Sequence, residues 1–309
     1  MVKVVALGGG HGLAATLTAL RRVTEEITAV VTVADNGGSS GRLRDEFHML
    51  PPGDLRMALA ALCGDDEWGR SWAEIMQYRF TSQGPMDGHA VGNLLLTALW
   101  DKDGDPVLGL NRVAQLLKVV GKVLPMALEP LDIEGTFQTS VGRKIIRGQK
   151  EVATAKGKLE SLALIPTNPT PTSEGLRAIA EADWITIGPG SWFSSVLPHF
   201  LVTQQLDAIV KSPAKKLVVL NLDASPSIHG EELAGSSPAE HLAVLKKYAP
   251  SFSCDIALAD SSVVSDKNEL AATITAMGGQ LVVADLASPG SLHHDPVKLT
   301  SVISHIFSR

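Results

Sequence analysis

Aromatic residues make up only 5% of the 309 positions, and cysteine occurs twice, at Cys63 and Cys254. With aromatics scarce and Ala, Val, Leu and Gly plentiful, the composition suits layered α/β packing better than an all-β sandwich. Two distant cysteines with no CxxC exclude a disulfide framework and a zinc cluster, and they read as buried thiols in a reducing compartment. No window of about 18 apolar residues occurs, so no spanning helix is expected. The opening "VKVVALGGG" is broken by glycine too early to be a signal peptide, so the expected setting is cytoplasmic. An excess of positive charge is also missing. The formal net charge is -6, which argues against nucleic acid or an anionic membrane as partner. Any anionic ligand must therefore be held by local donors. Three catalytic signatures are absent as well. A Walker A loop fails because Leu13 stands where its second glycine belongs, and there is no G-x-S-x-G elbow and no H-E-x-x-H.

The apolar share is 45%, ample for a sizeable core. Short β-rich runs alternate with helical stretches: "KVVALG", a helix from Gly12, then "ITAVVTVA" form a strand–helix–strand unit with a right-handed crossover. Helices are expected from Pro52, from Gly88, over 173–181 and near 195–210. Further strands are "WITI", "KLVVL", "DIALAD" and "QLVVADL". Residues 122–164 differ, with short β-like pieces between charged turns. The expectation is an α/β, Rossmann-like, doubly wound and mostly parallel sheet with an embedded β-rich segment, organised as a single domain over 1–309.

In such sheets ligands bind beyond the carboxyl ends of the strands. Four strand ends here carry small or polar residues. The first is "GGGHG", Gly8, Gly9, Gly10, His11 and Gly12, whose glycines let backbone N–H groups approach a phosphate at a helix start. Gly10, Gly12 and Ala15 also fit a G-x-G-x-x-A dinucleotide pattern, with Asp35 placed like a ribose-binding acid. The second is "ADNGGSSGRLR". Asp35 and Asn36 suit a ribose, a base edge or a hydrated metal. Gly37, Gly38, Ser39, Ser40 and Gly41 suit an anion nest with two hydroxyl donors, and Arg42 and Arg44 suit charge-assisted phosphate contacts. The third is "GPGS", with Gly188, Gly190 and Ser191; the fourth is Asn221 after "KLVVL". Asp54 and Arg56 in "PPGDLR" repeat the acid–arginine theme, and His89 and Asn93 lie four apart, as on one helix face. Capping and internal satisfaction are the plain alternatives for Asp54, Ser191, His89 and Asn93. The pattern also has room for Mg²⁺, bridging Asp35 and ligand phosphates.

"GGGHGL", "VTVADNGGSSGRLR", "PPGDLR", "GHAVGNLLL" and "IGPGSWFSSVLP", in this order, resemble the 2-phospho-L-lactate transferase-like (CofD-like) superfamily, and within it the gluconeogenesis-factor (YvcK-like) branch. The resemblance spans Val4 to about Leu286. It implies a Rossmann-like fold and a nucleotide pocket at Gly8–Gly12, 35–42 and the Gly188 loop. For this branch it also implies UDP-sugar binding by a cytoplasmic regulatory protein acting in carbon metabolism, cell shape and cell-wall synthesis. The partner of such a regulator is unidentified, and a homodimer is the default state. The other branch implies a Mg²⁺-dependent transferase acting on a deazaflavin alcohol. Several positions depart from the family pattern: His11 for threonine, Asn36 for a second aspartate, Met57 for asparagine, and "DASPSIHGEE" after Leu222. Losing the second acid weakens a two-carboxylate metal site.

Overall fold

The computed structural model describes residues 1–222 and 237–308. Ten strands alternate with helices among them: β1 (Val4–Gly8), β2 (Ile27–Val31), β3 (Lys122–Pro125), β4 (Asp132–Thr139), β5 (Gly142–Arg147), β6 (Lys158–Ile165), β7 (Trp184–Ile187), β8 (Lys215–Val219), β9 (Ile256–Asp260) and β10 (Gln280–Ala284). Seven of these form one sheet in the order β10-β9-β8-β7-β1-β2-β3, and every neighbouring pair in it is parallel. Strands buried on both faces need continuous rather than alternating apolar sequence. "VVALG" in β1 and "WITI" in β7 are buried at every position.

Helices cover both faces. On one side Gly10–Leu20 packs against Gly53–Ala61 and Pro296–Phe307; elsewhere Ser173–Glu181 packs against Thr203–Lys211. The chain leaves β1 toward β2 on one flank, and β7, β8, β9 and β10 extend the other. Strand order therefore reverses between β1 and β7, and the crevice at their carboxyl ends is the sheet's switch point. Among the described residues no helix is long and apolar enough to cross a membrane.

The β-rich segment divides differently from the sequence expectation. β3 joins the main sheet beside β2, and only β4, β5 and β6 stand apart, as an antiparallel sheet ordered β5-β4-β6. The four residues of β3, "KVLP", are too few for their period to tell a strand of the main sheet from an insertion. The helix expected near 195–210 is also broken, into a π-helical turn Trp192–Val196, a short helix Pro198–Leu201 and Thr203–Lys211. Pro198 lacks an N–H, and Val202 between the two helices is extended, with φ -81° and ψ 104°.

Candidate functional site

Two glycine loops meet at the switch point. The first leaves β1 through Gly8 and enters the helix at Gly10, with Gly9 as N-cap and no side chain capping it. The second is Gly188–Ser191 after β7, with a cis Gly188–Pro189 peptide. They touch. A β-carbon on Gly12 would lie 2.2 Å from the Pro189 carbonyl oxygen and 2.9 Å from Gly190 N. Thr16 Oγ1 donates to Gly188 O at 3.2 Å, and Asn221 clamps Gly190 from both sides, accepting from its N–H and donating to its carbonyl, each at 2.9 Å. Asn221 thus orients the second loop through its backbone. Ser191 caps the π-helical turn, accepting from Ser194 N at 3.1 Å. Gly10 differs from Gly12: its φ is +59°, and a β-carbon there would meet nothing within 4 Å.

Two carboxyls stand beside these loops. Asp35 ends the run after β2, and Asp54 sits in the first turn of Gly53–Ala61. A β-carbon on Gly9 would meet Asp54 Oδ2 at 2.5 Å; one on Gly53 would meet Asp35 Oδ2 at 3.1 Å. The N-cap of that helix is Pro52, so Asp54 is not the cap. Its carboxyl instead accepts from the Gly10 N–H. Burial, and then the charge of Asp35, push Asp54 up to about 7. Burial also raises Asp35, against bonds from Gly37 N–H and Ser40 and the charges of Arg44 and Arg56. Asn36 does not supply a second acid, but Asp54 does. No group of three or more His, Cys, Asp or Glu side chains among the described residues is placed to hold a metal. Two carboxylates with a ligand phosphate are nevertheless a sufficient protein contribution for Mg²⁺.

Behind the acids lies a closed polar network. Ser39 Oγ accepts from Asn93 Nδ2 (3.0 Å) and Ala90 N (3.4 Å), so its own proton goes to His89 Nδ1 (3.0 Å). His89 is thereby assigned as neutral with its proton on Nε2, consistent with burial and the Arg42 charge lowering its pKa. Asn93 Oδ1 accepts from Arg56 Nε at 2.9 Å, and Arg56 also bonds Gln77. His89 and Asn93 are not on one helix face, because the helix begins at Val91 and Ser39 joins the two. Ser40 accepts from Gly53 N at 2.7 Å. Both hydroxyls expected to donate to an anion are therefore buried and engaged within the protein. Gly38, at φ +49°, opens the helix that carries them.

The arginines and Asn36 have structural partners as well. Arg42 donates to the carbonyls of Pro85 (3.1 Å) and Asp87 (2.6 Å) and remains exposed. Arg44 donates to Leu131 O and pairs with Asp132. The Asn36 amide donates to Glu151 at 3.0 Å and accepts from Lys150 N at 3.3 Å. His11 lies with its ring centroid 6.0 Å from that of His293.

Several residues of this rim were not singled out from sequence. His199 is fully buried under the first loop, with Nε2 3.4 Å from Gly8 O and Nδ1 2.6 Å from Gln205 Nε2. Burial pushes it down to about 4. No sequence signal marks it, since the contact spans 191 positions. Asp260, by contrast, ends β9 and follows from the strand-end rule already applied elsewhere. Burial would raise its pKa, but bonds from Ser262, Leu286 and Ala287 outweigh that and hold it low. His294 is buried next to it and pushed down to about 4, mainly by burial. The altered segment after Leu222, residues 223–232, lies outside the described residues.

A family model for 2-phospho-L-lactate transferase CofD matches residues 4–295. The chain belongs to that family. Within the CofD family it is 45% identical to a protein of Mycobacterium tuberculosis provisionally named a gluconeogenesis factor, over 99% of this chain and 90% of that one. It is 36% identical to the gluconeogenesis factor of Halalkalibacterium halodurans, over 84% and 76% of the two chains. A crystal structure of a UPF0052-family protein from Bacillus halodurans superposes with a TM-score of 0.86 at 33% identity, covering 98% of each chain.

Proposed function

We propose that the switch-point cradle binds the diphosphate of a nucleotide sugar of the uridine diphosphate class. In this reading the protein is a gluconeogenesis factor whose bound state regulates carbon metabolism, cell shape and cell-wall synthesis through a partner protein. The observation that carries the reading is the contact of Gly12 with the Pro189–Gly190 backbone, which brings two loops 180 positions apart to one point. Glycine loops beside a helix start offer N–H groups and positive partial charge without a bulky side chain. Asp35 and Asp54 stand beside that point, His11 lies in the first turn of the helix that starts there, and Arg56 and His89 belong to the network behind the acids. A Mg²⁺ would be held by Asp35 and Asp54, and when bound it supplies charge neutralisation for the phosphates.

Calorimetry and thermal shift against UDP-N-acetylglucosamine, UDP, GTP, NAD and a deazaflavin alcohol test this. A ligand at a hundredfold excess over its Kd raises apparent stability by about 2.7 kcal/mol. The expected order puts the UDP-sugar first, and a large shift with NAD but none with UDP-sugars overturns it. The Asp35–Asp54 pair favours one second reading, a Mg²⁺-dependent transferase of the phospholactate class. Product from a nucleotide donor and an alcohol, abolished by chelator, would establish that instead.

A further inference from the structure

The chain carries net charge -6, yet residues 139–158 hold Arg143, Lys144, Arg147, Lys150, Lys156 and Lys158 against the single acid Glu151. This basic stretch contains β5, which lies at the end of the β5-β4-β6 sheet, and no described strand pairs with its outer edge. The opposite edge, β6, is partly covered, with Lys247 Nζ donating to Glu160 O at 2.6 Å. Along β5 the side chains of Arg143, Lys144, Ile145 and Arg147 are exposed, Ile145 at 64%, as is Val141 in the turn before it. A free edge presents unpaired backbone N–H and C=O groups, and lysine or arginine along it discourages casual strand addition. The same charges admit an acidic strand.

The end of β5 is wired to the candidate site by two routes. Arg147 and Arg44 bracket Asp132, and Arg44 stands in the helix Gly38–Phe47 that directly follows the Asp35 loop. Immediately after β5, a β-carbon on Gly148 would lie 2.7 Å from Asn36 Nδ2, and Asn36 itself bonds Glu151 and Lys150 N. The short helix Gln149–Ala153 that follows also packs on the π-helical turn beyond the Gly188 loop.

We propose that the outer edge of β5 is the docking site for an acidic, extended segment of a partner protein, added as a fourth strand, and that ligand in the Asp35 loop changes its affinity. Backbone pairing would supply the register, and the exposed Lys144, Lys150 and Lys156 the selectivity for acidic side chains, since Arg143 and Arg147 already pair with Glu160 and Asp132. The coupling rests on the ligand reading above; the docking edge does not.

The test uses the full chain and a fluorescein-labelled octapeptide of alternating Glu and Val. Binding is expected by anisotropy at physiological salt, with slowed amide exchange at 142–147. A twin peptide N-methylated at alternate residues should bind at least tenfold more weakly, and an alternating Lys–Val peptide not at all. The exposed Lys144→Glu should weaken the acidic peptide threefold or more without moving the melting temperature. Saturating UDP-N-acetylglucosamine should change the peptide Kd at least threefold, and Glu151→Ala should abolish that change. Equal binding of the N-methylated twin, unchanged exchange at 142–147, or binding to phosphatidylserine-containing vesicles with none to the peptide would each overturn the docking edge. If calorimetry shows the nucleotide bound while the peptide Kd stays constant, the coupling is wrong. If the nucleotide does not bind, the ligand reading and the coupling fall together, and the docking edge is judged on the peptide alone.

Discussion

Gly12 has no room for a β-carbon, because backbone of another loop occupies that place. Gly12→Ala is therefore expected to push the two glycine loops apart, costing about 1–3 kcal/mol as an overpacked contact and weakening nucleotide binding tenfold or more. Gly10→Ala is a useful contrast: it meets open space and suffers only from its positive φ, about 1 kcal/mol. Urea melts and calorimetry on the two variants separate crowding from backbone strain. Asp54 supports a prediction of different kind. Its carboxyl is protonated in both folded and unfolded states below about pH 4, but only in the folded state from there to about 7. Stability from this group is thus fully present in acid and lost as pH rises through 7. Asp54→Asn keeps an acceptor for Gly10 N–H and removes the titration, so it should gain about 1–3 kcal/mol over the wild type at pH 8 and little at pH 4. A gap that does not widen with pH would mean the carboxyl is not held neutral.

At the level of elements, the helix Gly38–Phe47 is locked to Val91–Asp103 and Gly53–Ala61 through two hydroxyls, Ser39 and Ser40, and one guanidinium. Ser39 receives bonds from Asn93 and Ala90 and donates to His89, while Arg56 closes the chain on Asn93. Ser39→Ala leaves several buried polar atoms unpartnered, and the expected loss is about 1–3 kcal/mol in thermal unfolding. It should also loosen the Asp35 loop, which that helix follows directly, and this appears as faster amide exchange at 36–41. Such coupling was only partly legible. "DNGGSSGR" marks a donor-rich loop, but the sequence does not say which donors face a ligand and which face inward. Ser39 and Ser40 turned out to be buried, because their partners come from Gly53, His89 and Asn93, which no local pattern links to them.

For the molecule as a whole, acid sensitivity follows from two buried imidazoles. His199 and His294 are held at about 4, against an ordinary value near 6.5, so both stay neutral in the fold where the unfolded chain would charge. Their contribution is present above pH 6.5 and is lost as pH falls toward 4. Asp54 works oppositely in that window, so variants separate the terms better than the wild-type curve. His199→Gln should flatten the acid limb of a melting-temperature profile by about 2–3 kcal/mol between pH 6.5 and 4. The parallel architecture was readable in advance because strands such as "VVALG" and "WITI" must be apolar at every position when both faces are covered. The strand-end loops were readable because a polar, glycine-rich run after such a strand has few other uses. What only the tertiary structure decided is the strand order, with β7 beside β1, since parallel pairing is set by long crossovers that leave no local trace. That adjacency places Gly12 against Pro189 and His199 beneath Gly8, while the packing of Gly10–Leu20 on Gly53–Ala61 sets Asp54 beside Gly9; in one dimension they are strangers, and only the tertiary packing makes them neighbours.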